Sequence, residues 1–418
     1  MNNIKVKTLD CGVRVIMEKL DQVQSASFGI WVKAGAVDEE KEISGVSHFI
    51  EHMMFKGTET RSAKDIAADI DKIGGQFNAF TGKEATCYYV KTVGNNILKG
   101  ADVILDMLNN SVFDKVELGR ERKVILEEMK MTQDTPDDLA QETVIEQLFK
   151  GNPYGNSIIG NATSLKGINR DKLVAYKERE YTKNAIVVSI AGNFDEDAFL
   201  EFLNGKFSRL KDYKAEKKTE IAPYQPTYKV IKKDINQTHI CLATKGVSID
   251  DDRYYALTLL NSVMGGSMSS RLFQNIREQK GLAYSVFSVC SSAAKDGYFE
   301  IYAGVNSDKI AAALNGIREE LDILNKNGIT SEELSMAKEQ AKAAYVFGQE
   351  NAATRMFVNG KNLILVNKVY ESDEILAGYD AVTLEDIEKI KDMICNIETY
   401  TGVSVSDIKY DLRKNWLG

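Results

Sequence analysis

Histidine is almost missing from this 418-residue chain: there are three, and two of them, His48 and His52, stand four residues apart. Proline is nearly as scarce, at four; with 44% hydrophobic and 27% charged residues, the composition excludes a disordered or collagen-like chain and matches a globular one. The five cysteines (Cys11, Cys87, Cys241, Cys290, Cys395) are odd in number, far apart and free of any C-x-x-C pair. That argues against a disulfide framework or a cysteine-based zinc site, and reduced, buried thiols are expected. No apolar run approaches the roughly 18 residues that would span a bilayer, so no membrane partner is expected. The opening "MNNIKVKTLDCGVRVIMEKL" alternates like a strand and lacks the apolar core of a secretory signal, so the expected location is cytoplasmic. A net charge of −8 argues against nucleic acid as a partner and favours cationic ligands only as a bias.

The length predicts two or more domains, and the order of elements repeats. "QSASFGIWVKAGAV" reads as a strand leading into the histidine segment, and "QTHICLATKGVSI" leads into "DDRYYALTLLNSVMGG". "AKDIAADIDKIGGQFNAFTGKEATCYYVKT" predicts a helix, a glycine turn and two strands; "SRLFQNIREQKGLAYSVFSVCSSAAKDGYFEIYAGV" predicts them again. Pairs of long helices, then a helix and a strand, close each half. The plan is two α+β domains of one fold, over residues 1–212 and 227–418, joined by a lysine- and proline-bearing linker over 213–226. Only the first half holds the histidine pair.

That pair lies in "SGVSHFIEHMMFKGT", residues 44–58. At about 100° per residue, Val46, Phe49, Ile50, Met53 and Met54 form one apolar stripe and His48, Glu51, His52 and Phe55 the opposite face. Imidazoles at i and i+4 project side by side and can share one Zn²⁺, while Glu51 can reach a water activated there and take its proton. The order H-x-x-E-H is the known inverted form of the zinc-peptidase helix motif. The bland alternative is a surface helix with incidental histidines, which the apolar/polar split and the rarity of histidine disfavour.

A hydrolytic zinc site needs a third protein ligand. His239 sits mid-strand, where a structural role is favoured, so a carboxylate is the better candidate. In "VELGRERKVILEEMK" the spacing puts Glu121, Val124, Ile125 and Glu128 on one stripe and Arg120, Lys123 and Glu127 on another. Glu128 on the apolar side calls for a partner that a metal could supply, but periodicity alone also allows a solvated glutamate.

At these residues the chain resembles the inverzincin peptidases of the pitrilysin family, and most its half-length, processing-peptidase-like bacterial branch. "HFIEHMMFKGT" is similar to that family's zinc motif and "ERKVILEEMK" to the segment that carries its third ligand. The resemblance implies two homologous α/β-sandwich domains, each a mixed, mostly antiparallel sheet packed with helices. It implies His48, His52 and Glu128 as ligands of one Zn²⁺ per chain, Glu51 as catalytic base and Glu121 as a supporting catalytic-site glutamate. "GGQFNAFTGKEATCYY" resembles the family's substrate-binding edge strand, which points to Asn78 and Ala79; an exposed edge can accept an extended peptide as an added strand. "NIREQKGLAYSV" resembles the segment supplying Arg277 and Tyr284 to substrate and to the transition-state oxygen. One departure is Asn152 in "GNPYGNSIIG", where many relatives have histidine; it lies outside the zinc set.

The implied activity is a zinc-dependent endopeptidase acting on unfolded or extended peptides. Because the family encloses substrate in a chamber of four domains, the resemblance also implies a dimer. Both the zinc set and the Arg277/Tyr284 pair are present, which favours a homodimer. The rivals are a non-catalytic scaffold subunit of the same fold and a different metal-dependent hydrolase.

Overall fold

The computed structural model describes residues 4–212 and 223–418; most of the expected linker, residues 213–222, lies outside the described residues. Two compact units are formed, one from Met1–Met129, Asn156–Glu220 and Val346–Glu371, the other from Lys130–Gly155, Ile221–Tyr345 and Ser372–Gly418. The units are therefore not contiguous in the chain.

The first unit is built on six strands: β1 (Ile4–Thr8), β2 (Arg14–Lys19), β3 (Ser25–Val32), β4 (Gln76–Thr81), β5 (Thr86–Val93) and β6 (Ile186–Gly192). They lie in the order β1-β2-β6-β3-β5-β4, antiparallel except for β2 beside β6. The second holds β7 (Tyr228–Lys232), β8 (Thr238–Lys245), β9 (Ala283–Ser292), β10 (Gly297–Val305) and β11 (Thr401–Ser406) in the order β7-β11-β8-β10-β9. Only β7 and β11 run parallel. Without β1 the two orders match strand for strand, which is the expected pair of mixed, mostly antiparallel sheets packed with helices.

Helices that bear on the site are α1 (Val46–Met54), α2 (Ala63–Lys72), α3 (Ile97–Asn110), α4 (Lys115–Asp134) and α5 (Pro136–Leu148). From the second half come α6 (Tyr254–Met264), α7 (Ile310–Asn327), α8 (Ser331–Gln349) and α9 (Ala352–Val366). One face of β3, with Ala26, Phe28, Ile30 and Val32, joins the α1 and α3 side chains in the main core of the first unit. The other face presents Trp31, and α9 covers it with Phe357, Leu363 and Ile364. A Cβ at Gly360 would lie 2.1 Å from the Trp31 ring, so glycine is what lets this helix settle on the strand. In the second unit α5 plays the same part, laying Ala140, Val144 and Leu148 on Cys241, Ala243, Val403 and Val405. Each sheet is thus buried on both faces, which explains why β6 and β11 carry no exposed residue. Among the described residues no helix is long and apolar enough to cross a membrane.

Candidate active site

The site starts with the way α1 is held. Gly45 precedes it at φ 90°, where a Cβ would strike the Ile159 carbonyl oxygen at 2.3 Å. The buried Glu39 carboxylate accepts the backbone N–H groups of Gly45 (2.6 Å) and Ser47 (2.8 Å), satisfying donors that a helix start leaves open. Val46, Phe49, Ile50, Met53 and Met54 are all buried in the core as the stripe predicts. The opposite face carries His48 and His52, ring centroids 4.6 Å apart.

α4 brings the carboxylate. Glu128 Oε2 lies 3.5 Å from His52 Nε2 and 3.8 Å from His48 Nε2. Three donor atoms from His48, His52 and Glu128 all lie within 4.8 Å of one another, and this is the one such group among the described residues. Donors placed tetrahedrally about 2.1 Å from a zinc ion would stand roughly 3.4 Å apart, so two imidazoles and a carboxylate at this spacing fit that ion. Burial, with His52 alongside, pushes the His48 imidazole down to about 4, so it stays neutral with its lone pair available.

A chain of contacts orients His52. Its Nδ1–H donates to Glu121 Oε2 at 3.1 Å, which leaves Nε2 for a metal, and Lys56 Nζ lies 2.9 Å from Glu121 Oε1. Glu121 is buried against α1 through the α4 face that also carries Leu118 and Ile125. The expected stripe needs one correction: Val124 is exposed, because Arg122 turns inward, donating to the Leu165 and Ile168 carbonyls and lying over the Phe49 ring. The buried face is centred on Leu118, Glu121, Arg122 and Ile125, with Glu128 at its rim.

Glu51 sits one step from His52 on the same face. Burial raises its carboxyl above the ordinary value, and the Glu128 charge adds to this, while His52 and a hydrogen bond from Thr81 oppose it. The Thr81 Oγ1–H donates to Glu51 Oε2 at 2.5 Å. Asn78 and Ala79 lie three and two residues before Thr81 on β4, whose only strand partner among the described residues is β5. Asn78 is exposed and its side-chain oxygen accepts the Ala79 N–H at 2.9 Å; Ala79 is buried.

The remaining residues belong to the second unit. Arg277 lies in a π-helical stretch, Phe273–Gln279, with its guanidinium 4.7 Å from the Phe273 ring centroid. Tyr284 projects from β9, the edge strand equivalent to β4, and is 78% exposed. His239 has a structural contact, its Nδ1 lying 2.7 Å from the Tyr302 hydroxyl. Glu39, Lys56 and Thr81 were not foreseen. Lys56, at i+4 from His52 on the motif segment, was legible from helical spacing; Glu39 and Thr81 reach the site only through tertiary contact.

Residues 14–162 match the family described as insulinase (peptidase family M16), and residues 167–341 match the peptidase M16 inactive domain. The chain is 41% identical over 387 residues to the uncharacterized zinc protease YmxG of Bacillus subtilis, covering 92% of this chain and 94% of that one. It belongs to the M16 peptidase family. Its fold is similar to the peptidase M16 inactive domain from Pseudomonas fluorescens, at TM-score 0.90 and 20% identity over 98% of this chain and 99% of that one. It is also similar to a protease from Helicobacter pylori, at TM-score 0.88 and 22% identity over 96% and 99%.

Proposed function

We propose that this chain is a zinc-dependent endopeptidase that hydrolyses unfolded or extended peptides. The observation that carries the reading is the convergence of His48, His52 and Glu128 donor atoms beside a partly buried, hydrogen-bonded Glu51. These three residues would hold one Zn²⁺ per chain, which when bound supplies Lewis-acid activation of water and of the scissile carbonyl. Glu51 takes the proton of the attacking water and returns it to the leaving amine, for which burial has moved its carboxyl in the useful direction. β4 is the outermost strand of its sheet, and its outward side around Asn78 and Ala79 offers an extended peptide a strand to join. Tyr284 and Arg277 serve substrate and oxyanion from the second unit's edge.

The reading extends to a cytoplasmic homodimer in which the zinc-bearing unit of one chain is served by Arg277 and Tyr284 of another. Glu51→Gln tests the chemistry. The variant should keep its zinc and bind peptide while kcat falls by about 100-fold or more. Substantial residual hydrolysis, or a wild-type protein without zinc and inert after zinc addition, would remove the assignment.

A further inference from the structure

Glu51 stands on a helix and carries a flexible side chain, yet its carboxylate is engaged at Oε2 by one neutral donor from a different element. That donor, Thr81, is the last residue of β4 and pairs with Thr86 across the hairpin. The hairpin end beyond it is tied down on several sides. Gly82 N–H donates to the Ala85 carbonyl at 2.9 Å, and the Gly82 and Lys83 carbonyls accept the Ala36 and Val37 N–H groups at 3.3 and 2.9 Å. Lys83 Nζ donates to the Asn156 carbonyl at 2.5 Å. A β-branched side chain on an extended strand has restricted χ1, so the hydroxyl is presented from a fixed place.

We propose that Thr81 is a positioning residue: it clamps Oε2 of Glu51 and so orients the carboxylate, leaving Oε1 to accept the proton in hydrolysis. This rests on the peptidase reading and on Glu51 as its base. The contact also ties the base to β4. Thr81 lies two residues beyond Ala79 on the edge that a peptide would join. A peptide registered on β4 is thereby registered against the base that acts on it, and no charged group is spent on the arrangement.

Thr81→Val keeps the shape of the side chain and removes the hydroxyl, and Thr81→Ser keeps the hydroxyl. Both are compared with wild type and Glu51→Gln for zinc content and steady-state peptide hydrolysis. The expected result for Thr81→Val is full zinc content, KM within about twofold of wild type and kcat lowered by about 10- to 100-fold, the scale on which a misplaced catalytic group is felt. Thr81→Ser should recover most of kcat. Undiminished kcat in Thr81→Val, with wild type active and Glu51→Gln dead, overturns the role of Thr81 alone; so does equal loss in the valine and serine variants, or loss of zinc in the valine variant. An inert zinc-loaded wild type overturns the peptidase reading, and this inference with it.

Discussion

Burial moves the titratable side chains of this protein in whatever direction keeps them uncharged, and it does so outside the site as well as in it. Glu300 on β10 is 2% exposed, one of its oxygens has no hydrogen-bond partner among the described residues, and its carboxyl is pushed up from 4.5 to about 7. Below pH 4.5 the group is protonated in both folded and unfolded chains and costs nothing. As pH rises from there to about 7 the unfolded chain ionises first, so the folded state loses stability across that window, by up to about 3 kcal/mol from this residue. Glu39, also raised to about 7 mainly by its burial, acts in the same sense. Glu300→Gln should therefore be more stable than wild type at pH 8 relative to pH 5, read as the difference in unfolding free energy at the two values. An unchanged difference would mean that Glu300 is ionised in the folded protein. Residue-scale chemistry on α1 was legible because H-x-x-E-H needs only the helical repeat. Thr81 was not, because 30 residues separate it from Glu51 and a threonine in a strand has an ordinary reason to be there.

Elements assemble by the same patterns, and fail to be foreseen where a pattern has two partners. The apolar stripe of α1 is buried as predicted, and Ser47 is buried beside it, its hydroxyl 2.9 Å from that of Tyr176. On α4 the stripe misplaced Val124, since periodicity counts arginine as polar and Arg122 is the one that turns inward. The two covering helices were beyond reach of the repeat: α9 from the second half lies on the first sheet and α5 from the first half on the second, and an amphipathic helix does not say which of two like sheets it will cover. What fastens α9 is specific. Arg355 donates to the buried Glu18 carboxylate on β2, and Asn359 Nδ2 donates to its other oxygen at 2.7 Å. Arg14 reaches back to Leu363 O at 3.2 Å and Asn367 Oδ1 at 2.6 Å. Arg355→Met should leave Glu18 buried without its cation and cost about 3 kcal/mol or more. Chemical denaturation of the single variant beside Glu18→Gln/Arg355→Met measures this, and the second substitution should recover much of the loss. A single variant within about 0.5 kcal/mol of wild type would show that the pair adds nothing net, as exposed pairs often do.

The whole molecule distributes the proposed machinery over two units, with the metal ligands and Glu51 in the first and Arg277 and Tyr284 in the second. If each site draws on two chains of a homodimer, the two halves of the machinery can be inactivated separately and then recombined. A Glu51→Gln chain has an intact Arg277/Tyr284 edge, and a Tyr284→Phe/Arg277→Ala chain has an intact zinc face. Each should be nearly inactive alone. After exchange of subunits in a 1:1 mixture, half the dimers are mixed, and each mixed dimer pairs the two intact faces at one of its two sites, so about a quarter of wild-type activity should return. The measurement is peptide hydrolysis before and after exchange, with the exchange followed by differently tagged chains. If mixed dimers form and no activity returns, each chain serves itself and the dimer has another purpose; if no dimer forms while wild type cleaves peptide, the four-domain chamber is removed from the proposal and the zinc chemistry stands on the first unit alone. The exposure of Tyr284 makes the mixing result informative either way, because a side chain 78% open to solvent is available to whichever substrate the edge of β9 meets.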